Sequence, residues 1–202
     1  MFIGIAEPKM LFERAKAFRW NSLRFNFVSQ NLLSINMEHL WVLYHNSIQI
    51  LSCVRKSQSI SVHLNFQGHN FSLSFVYAST SYTRRRDLWN ELENFSESVY
   101  SKWVVVGNFN TILRSDEKIG LTFNMLDSIE FSSYIDYCQL AEVSIAGDEF
   151  TLNRYTLNGR QSSKLDRCFF QMGDSSEASG VSGFTLPRHH SDHNPLIFEI
   201  KS

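Results

Sequence analysis

The sequence predicts an α/β or α+β domain in which two β-sheets pack on each other. Apolar and polar residues alternate from Ile60 to Phe66 and again from Phe71 to Tyr77, which is the pattern of two half-buried antiparallel strands sharing one sheet face. The period then changes, because apolar residues recur at helical spacing from Leu88 to Val99. Many short apolar runs with few helical segments between them favour two packed sheets.

Length and composition indicate one domain spanning residues 1–202. A chain of 202 residues that is 43% hydrophobic can build one sizeable core but not two. The formal net charge of -1 excludes a surface that is basic all over, while a local basic groove for nucleic acid stays compatible with it. No apolar run approaches the roughly 18 residues of a membrane span, and the first residues lack the basic lead of a signal peptide.

The cysteines suggest a compartment for the protein. Cys53, Cys138 and Cys168 are an odd number of widely spaced residues inside apolar stretches, so we expect three free thiols and no zinc site. We therefore expect an intracellular protein. For the oligomeric state, a monomer is the default expectation.

The remaining elements follow from the same patterns. The runs 39–44 and 48–54 predict a hairpin, and residues 11–20 favour a short helix. Thr83 is the expected N-cap of the helix around Leu88, and Asp127 with Glu130 resembles a capping box for a second helix. The other predicted strands are 2–6, 103–107, 149–152, 154–157, 164–170, 181–186 and 195–200, with a turn at 158–159 and a loop at 171–180.

Polar residues follow several of these apolar runs, where catalytic side chains often emerge. Each has an ordinary structural explanation when taken alone: a solvated Glu, a packed Tyr, Asx turns, a surface ion pair or solvent-facing histidines. The ordered combination is much more specific than any one of its members. It comprises Glu7, Tyr77, Gly107-Asn108-Phe109-Asn110, Leu165-Asp166-Arg167 and Ser191-Asp192-His193.

Together these residues resemble the endonuclease/exonuclease/phosphatase superfamily, which has the DNase I-like fold. The closest resemblance is to the endonuclease region of plant LINE-type non-LTR retrotransposons, and it covers nearly the whole chain. It implies a two-sheet α/β sandwich and metal-dependent hydrolysis of phosphodiesters. The blocks that carry it are Ile5-Ala6-Glu7-Pro8-Lys9, Leu40-Trp41-Val42-Leu43-Tyr44, Gly107-Asn108-Phe109-Asn110, Lys164-Leu165-Asp166-Arg167 and Ser191-Asp192-His193.

The resemblance also implies a role for each residue. Glu7 and Asp192 would be the carboxylates that bind Mg²⁺, with Mn²⁺ as the alternative ion. His193 would donate to a phosphoryl oxygen, and Asp166 would fix its tautomer. Asn110 and Tyr77 would donate hydrogen bonds to the phosphate.

The chain departs from the family pattern at two places. Asn108 stands where the family has the Asp thought to orient and deprotonate the attacking water, and an amide cannot accept that proton. The family's first strand, which carries an Asn near the metal, precedes the strand that ends in the catalytic Glu, and here Met1 falls within that second strand. We therefore expect a degenerate, retrotransposon-derived protein with weak or no phosphodiesterase activity. The alternatives are an active Mg²⁺-dependent DNA endonuclease and a small-substrate phosphatase.

Two basic segments could contact DNA. Arg188-His189-His190 neighbours the predicted metal ligand Asp192 and is the best candidate for a phosphate contact. Arg84-Arg85-Arg86 lies at a predicted helix start, where the helix dipole disfavours cations, so it is either a phosphate-contacting loop or a solvated charged turn.

Overall fold

The predicted α/β class is confirmed. The computed structural model describes residues 1–9, 20–30, 39–100, 102–120, 122–157, 159–171 and 181–200. The helices are α1, Tyr82–Ser96, and α2, Met125–Tyr137, with short 3-10 turns at Trp20–Leu23 and Ser115–Glu117. The strands are β1 Phe2–Ala6, β2 Phe25–Gln30, β3 Leu40–His45, β4 Gln49–Arg55, β5 Ser59–Phe66, β6 His69–Tyr77, β7 Lys102–Asn108, β8 Lys118–Ile119, β9 Leu140–Glu142, β10 Ile145–Ala146, β11 Leu152–Thr156, β12 Gly159–Ser163, β13 Asp166–Gln171, β14 Val181–Thr185 and β15 Leu196–Ile200.

A six-stranded sheet in the order β4-β5-β6-β7-β13-β9 forms the centre of the fold. Among the described strands of this sheet, only β6 and β7 pair in parallel, because α1 lies between them in the chain and supplies the crossover that a parallel pair requires. The sequence alternation predicted the antiparallel pairing of β5 with β6 correctly.

The described residues form three smaller sheets besides the central one. Their strand orders are β1-β3-β2, β10-β14-β15 and β11-β12-β8. Within the described residues β1 pairs only with β3, so it is an edge strand.

Two apolar clusters cover the two faces of the central sheet. Val105 and Phe169 point to the face covered by α1 and α2, where Trp89 stacks on Phe131 with ring centroids 5.0 Å apart. Val104 and Cys168 point to the opposite face, where side chains of β3, β14 and β15 pack. This arrangement follows from strand geometry, in which neighbouring residues face opposite sides of the sheet.

The predicted hairpin of residues 39–44 and 48–54 is wrong. β3 pairs with β1 and β2, whereas β4 pairs with β5 in the central sheet. The intervening residues His45-Asn46-Ser47 therefore connect two sheets. Both runs are apolar enough to be strands, but local sequence does not specify which partner each strand takes.

Both predicted helix caps are also wrong by a few residues. α1 begins after Ser81 rather than Thr83, and α2 begins after Asn124, whose side chain accepts the Asp127 N–H at 3.4 Å. Asp127 instead turns inward to a buried ion pair with Arg85. A tertiary contact has displaced the local capping role, which the sequence alone does not reveal.

The strand prediction around the turn at 158–159 missed one element. β12 follows this turn and pairs with β11, whereas the sequence analysis placed the next strand at 164–170. Its residues, Gly-Arg-Gln-Ser-Ser, carry no apolar alternation. The predicted helix at 11–20 lies almost wholly outside the described residues, as does nearly all of the loop at 171–180.

The arginines at the start of α1 connect the two helices. Arg85 is buried and pairs with Asp127, while Arg86 pairs with Glu130 of α2 at 2.7 Å. Both guanidinium groups are thus paired with carboxylates, which disfavours the phosphate-contacting interpretation of this segment. The burial of Arg85 also makes the interpretation as a solvated turn wrong for that residue. Among the described residues, neither helix is long and apolar enough to cross a membrane.

Candidate active site

Three predicted site residues lie side by side at one edge of the central sheet. The parallel strands β6 and β7 both end there, with Tyr77 directly opposite Asn108. The antiparallel strand β13 begins at the same edge, with Asp166 on the other side of Asn108. Residues that are far apart in the sequence are therefore brought together by strand register alone.

Asp166 and His193 form a direct side-chain contact. Nδ1 of His193 lies 2.7 Å from Oδ2 of Asp166. An ionised carboxylate can only accept, so this contact places the ring proton on Nδ1 and leaves Nε2 free to exchange a proton with a ligand. A bridge between His193 and Leu152 fixes the backbone of the loop that carries the imidazole.

The charge on His193 is favoured by three carboxylates. Burial opposes the imidazolium, but the Asp166 hydrogen bond together with the charges of Asp166, Asp192 and Glu7 outweighs it and raises the pKa of His193. Glu7 and Asp192 are therefore both near enough to act on this ring. The charges of Glu7, Asp166 and Asp192 therefore all act on His193.

Glu7 follows β1 in a left-handed backbone conformation, with φ 46°. Non-glycine residues adopt this region rarely, and such strain often occurs at functional sites. Its Oε1 accepts from the Tyr77 hydroxyl and its Oε2 accepts from Lys9 Nζ at 2.6 Å. The Lys9 and Tyr77 hydrogen bonds lower the pKa of Glu7, while burial and the same carboxylate raise the pKa of Tyr77.

Asn108 and Asn110 shape the turn that follows β7. Asn108 is 6% exposed and its Oδ1 accepts the Asn110 N–H at 2.8 Å, while Asn110 Nδ2 donates to the Ala78 carbonyl at 2.6 Å. Gly107 has φ 145°, and a Cβ there would lie 2.0 Å from the Val76 carbonyl oxygen. Only glycine therefore lets β6 and β7 approach this closely at the site.

The carboxylates present fit a hard divalent cation. Glu7 and Asp192 are both exposed, and Mg²⁺ is commonly held by one or two protein carboxylates together with water and substrate phosphates. Among the described residues no group of three or more acidic, histidine or cysteine side chains forms a complete metal cage. One or two carboxylates of this kind suit an ion that shares its coordination with a substrate.

Sequence reasoning missed the residue that holds the two halves of the site together. Thr151 is fully buried, and its hydroxyl accepts the N–H groups of Leu165 and Asp166 at 3.0 and 2.9 Å. Its carbonyl accepts the Asn194 N–H at 2.7 Å. A threonine in a strand-like stretch is ordinary, so no local pattern identifies it.

Known proteins resemble this chain in structure but not in sequence. By sequence, no protein-family model and no curated protein matches the chain. By structure, it is similar to the endonuclease domain of TRAS1, a telomere-specific non-LTR retrotransposon, with TM-score 0.74 and 12% identity over 100% of this chain and 86% of the other. The chain has the endonuclease/exonuclease/phosphatase fold.

Two further structures with this fold are similar over nearly the whole chain. An endonuclease/exonuclease/phosphatase family protein from Bacteroides thetaiotaomicron gives TM-score 0.69 and 10% identity, covering 100% of this chain and 83% of the other. TDP2 from D. rerio, complexed with a single-strand DNA product, gives TM-score 0.63 and 10% identity, covering 98% and 84%. The DNase I-like fold implied by the sequence resemblance is thereby confirmed.

The predicted DNA-contacting residues lie on the loop beside the site. Arg188 Nη1 donates to the Asn153 carbonyl, while His189 and His190 are exposed, with ring centroids 4.0 Å apart. Arg188 also lines a cavity of about 590 Å³ together with Arg160. None of the predicted catalytic or metal-binding residues lines this cavity, although Asn153 N donates to the Asp192 carbonyl at 2.9 Å and so connects the two regions.

Proposed function

We propose that this protein is a degenerate, retrotransposon-derived endonuclease that binds phosphodiesters at the Glu7–His193 site and hydrolyses them weakly or not at all. The fold is that of nucleases and phosphodiesterases, and the TRAS1 structure supports the retrotransposon origin. DNA as the substrate class is supported by the same neighbours, one of which is a retrotransposon endonuclease and another a complex with single-strand DNA.

The observation that carries the proposal is the position of Asn108. It is the central member of the Tyr77–Asn108–Asp166 row, and its amide oxygen is already engaged by the Asn110 N–H. A carboxylate in this place could orient and deprotonate a water molecule, whereas an amide cannot accept the proton. Loss of one general base typically lowers a rate by about 10²–10⁴-fold.

The other residues are suited to binding and protonation. His193, oriented by Asp166, donates from Nε2 to a phosphoryl or leaving oxygen, and its raised pKa favours the charged form that can donate. Tyr77 keeps its proton and orients Glu7. A divalent cation held by Glu7 and Asp192 would neutralise charge on the phosphate. Asn110 contributes a fixed polar group at the end of β7.

A second candidate, an active Mg²⁺-dependent DNA endonuclease, is favoured by one observation. The Asp166–His193 contact has the geometry of a working orienter and imidazole, at 2.7 Å. If a water molecule is positioned by other groups, this pair could still support turnover. The two candidates therefore differ in what happens at Asn108.

Plasmid nicking with Mg²⁺ distinguishes the two candidates. We expect little or no nicking by the native chain and about 10²–10⁴-fold more by Asn108→Asp. The matched control is Asn70→Asp, the same chemical change at an exposed residue near the opposite end of β6. Adding His193→Ala to Asn108→Asp should abolish the gain.

Two outcomes would contradict the proposal. If the native chain nicks as fast as Asn108→Asp and His193→Ala stops it, the protein is an active endonuclease. If Asn108→Asp folds and binds DNA but stays inert, the amide at Asn108 is not what limits hydrolysis.

A further inference from the structure

A buried ion pair lies directly behind the site residue Asp166. Successive strand residues point to opposite faces, so Arg167 points away from the site and into the layer covered by α2. Its side chain is fully buried and its guanidinium carbon lies 5.9 Å from the Phe131 ring centroid. Arg167 Nη2 donates to Glu117, whose side chain is also fully buried, and Nη1 donates to Glu142 at 2.8 Å.

Glu117 and Arg167 both hydrogen-bond to the backbone of Lys164, two residues before Asp166. Arg167 Nη2 also donates to the Lys164 carbonyl at 3.2 Å, and the Glu117 carbonyl accepts the Lys164 N–H at 3.0 Å. Both backbone polar groups of Lys164 are thus satisfied by the two members of the pair. Glu117 is itself fixed, because its Oε2 accepts the Leu113 N–H at 2.7 Å.

The chain corner 164–166 is consequently held from both sides. On the site side, the Thr151 hydroxyl accepts from Leu165 and Asp166, and the Phe109 N–H donates to the Leu165 carbonyl at 2.9 Å. On the opposite side, Lys164 is held by Arg167 Nη2 and the Glu117 carbonyl, and its own Nζ pairs with Glu142 at 2.9 Å. We propose that Glu117 is a positioning residue, which acts through Arg167 and Lys164 to set the distance between Asp166 and His193.

A purely stabilising role explains this pair less well. Burying two charges costs much of what their attraction returns, so a buried pair is weak evidence for stability. Among the described residues, Arg167 Nε has no hydrogen-bond partner, and Glu117 Oε1 has only an ion-pair contact with Arg114 Nη2 at 3.4 Å, which adds to that cost. What Arg167 supplies is directional: its planar guanidinium is fixed by Nη1 on Glu142 and by Nη2 on Glu117 and the Lys164 carbonyl. This inference concerns geometry alone and does not depend on whether the protein hydrolyses DNA.

The test is the Nδ1 proton of His193, observed by NMR in the full chain without metal or DNA. A proton shared with a carboxylate at this distance is protected and resonates far downfield, and Asp166→Asn identifies the signal by removing it. We expect Glu117→Gln to shift the signal upfield or broaden it away. The matched control is Arg85→Gln, which breaks the other buried ion pair, between α1 and α2, and should leave the signal in place.

The outcomes separate positioning from general loss of stability. A folded Glu117→Gln variant with an unchanged signal would overturn the proposal, as would loss of the signal in both Glu117→Gln and Arg85→Gln. Absence of the signal from the native chain would overturn it too. If Glu117→Gln does not fold, Arg167→Lys replaces it, because a lysine keeps the charge but has one nitrogen in place of the two that hold Glu117 and Glu142. A retained signal in Arg167→Lys would then contradict the inference.

Discussion

At the scale of single residues, Glu117 shows how a buried carboxylate is kept ionised. Burial raises its pKa, but the Arg167 hydrogen bond and charge and the Leu113 and Arg114 N–H groups outweigh burial, so the net effect is a lowered pKa. A lowered folded-state pKa stabilises the folded protein at every pH above the ordinary value, and this contribution is lost as the pH falls through the folded-state pKa.

We therefore expect Glu117 to contribute to acid sensitivity. The free energy of unfolding of the native chain should fall between about pH 5 and pH 3, and Glu117→Gln should show a shallower fall, because no proton can be taken up at this position. Urea unfolding at a series of pH values measures both slopes. Ser115→Ala, which removes no ionisable group from the same 3-10 turn, should keep the native slope. A native-like slope in Glu117→Gln would contradict the assignment.

Much of the site could be predicted from the sequence, but its supporting residues could not. Asp166 and His193 were identified because they belong to ordered motifs, and the structure places them in contact. Glu117 lies 50 positions from Arg167, so nothing local links the two. Thr151 acts through a hydroxyl that accepts two backbone N–H groups, a role that its residue type does not specify. Sequence motifs identify the reactive side chains, whereas the residues that hold those side chains in place are determined by tertiary contacts.

At the scale of secondary-structure elements, the sequence specifies strands better than their partners. Alternation in β5 and β6 predicted both the strands and their pairing, because a short turn leaves them adjacent. β3 and β4 were recognised as strands, but their separation by only three residues wrongly suggested a hairpin. The difference is that β3 and β4 pair with strands of different sheets, which is a property of the whole fold.

One buried and one exposed ion pair join α1 and α2, so the contributions of the two kinds of pair to stability can be compared directly. The Arg85 side chain is 4% exposed and pairs with Asp127, so Arg85→Gln leaves an uncompensated buried charge and should lower the free energy of unfolding by about 3–5 kcal/mol. Arg86→Gln breaks the neighbouring, exposed pair with Glu130 and should have little effect. Chemical denaturation measures both variants. Equal losses in the two variants would show that burial does not govern these pairs.

At the scale of the whole molecule, the net charge limits how DNA can be bound. A chain of formal charge -1 has no general attraction for a polyanion, so binding must come from local groups such as Arg188. Each phosphate contact with duplex DNA contributes about -0.9 to the slope of log affinity against log salt concentration.

We expect Arg188→Gln to make that slope shallower by about 0.9, because it removes one phosphate contact. Fluorescence anisotropy with a labelled duplex at several salt concentrations measures the slope. Arg86→Gln is the charge-matched control, since Arg86 lies on the helical layer and pairs with Glu130. An unchanged slope in Arg188→Gln would exclude this residue from the DNA interface.

We propose that carboxylates from opposite ends of the chain, Glu7 and Asp192, bind one cation next to the Asp166–His193 pair. Crystals soaked with Mn²⁺ and measured at its absorption edge test this most directly. We expect one anomalous peak that contacts oxygens of both Glu7 and Asp192, and that disappears in Glu7→Gln. A peak bound elsewhere, or to only one of the two carboxylates, would contradict it.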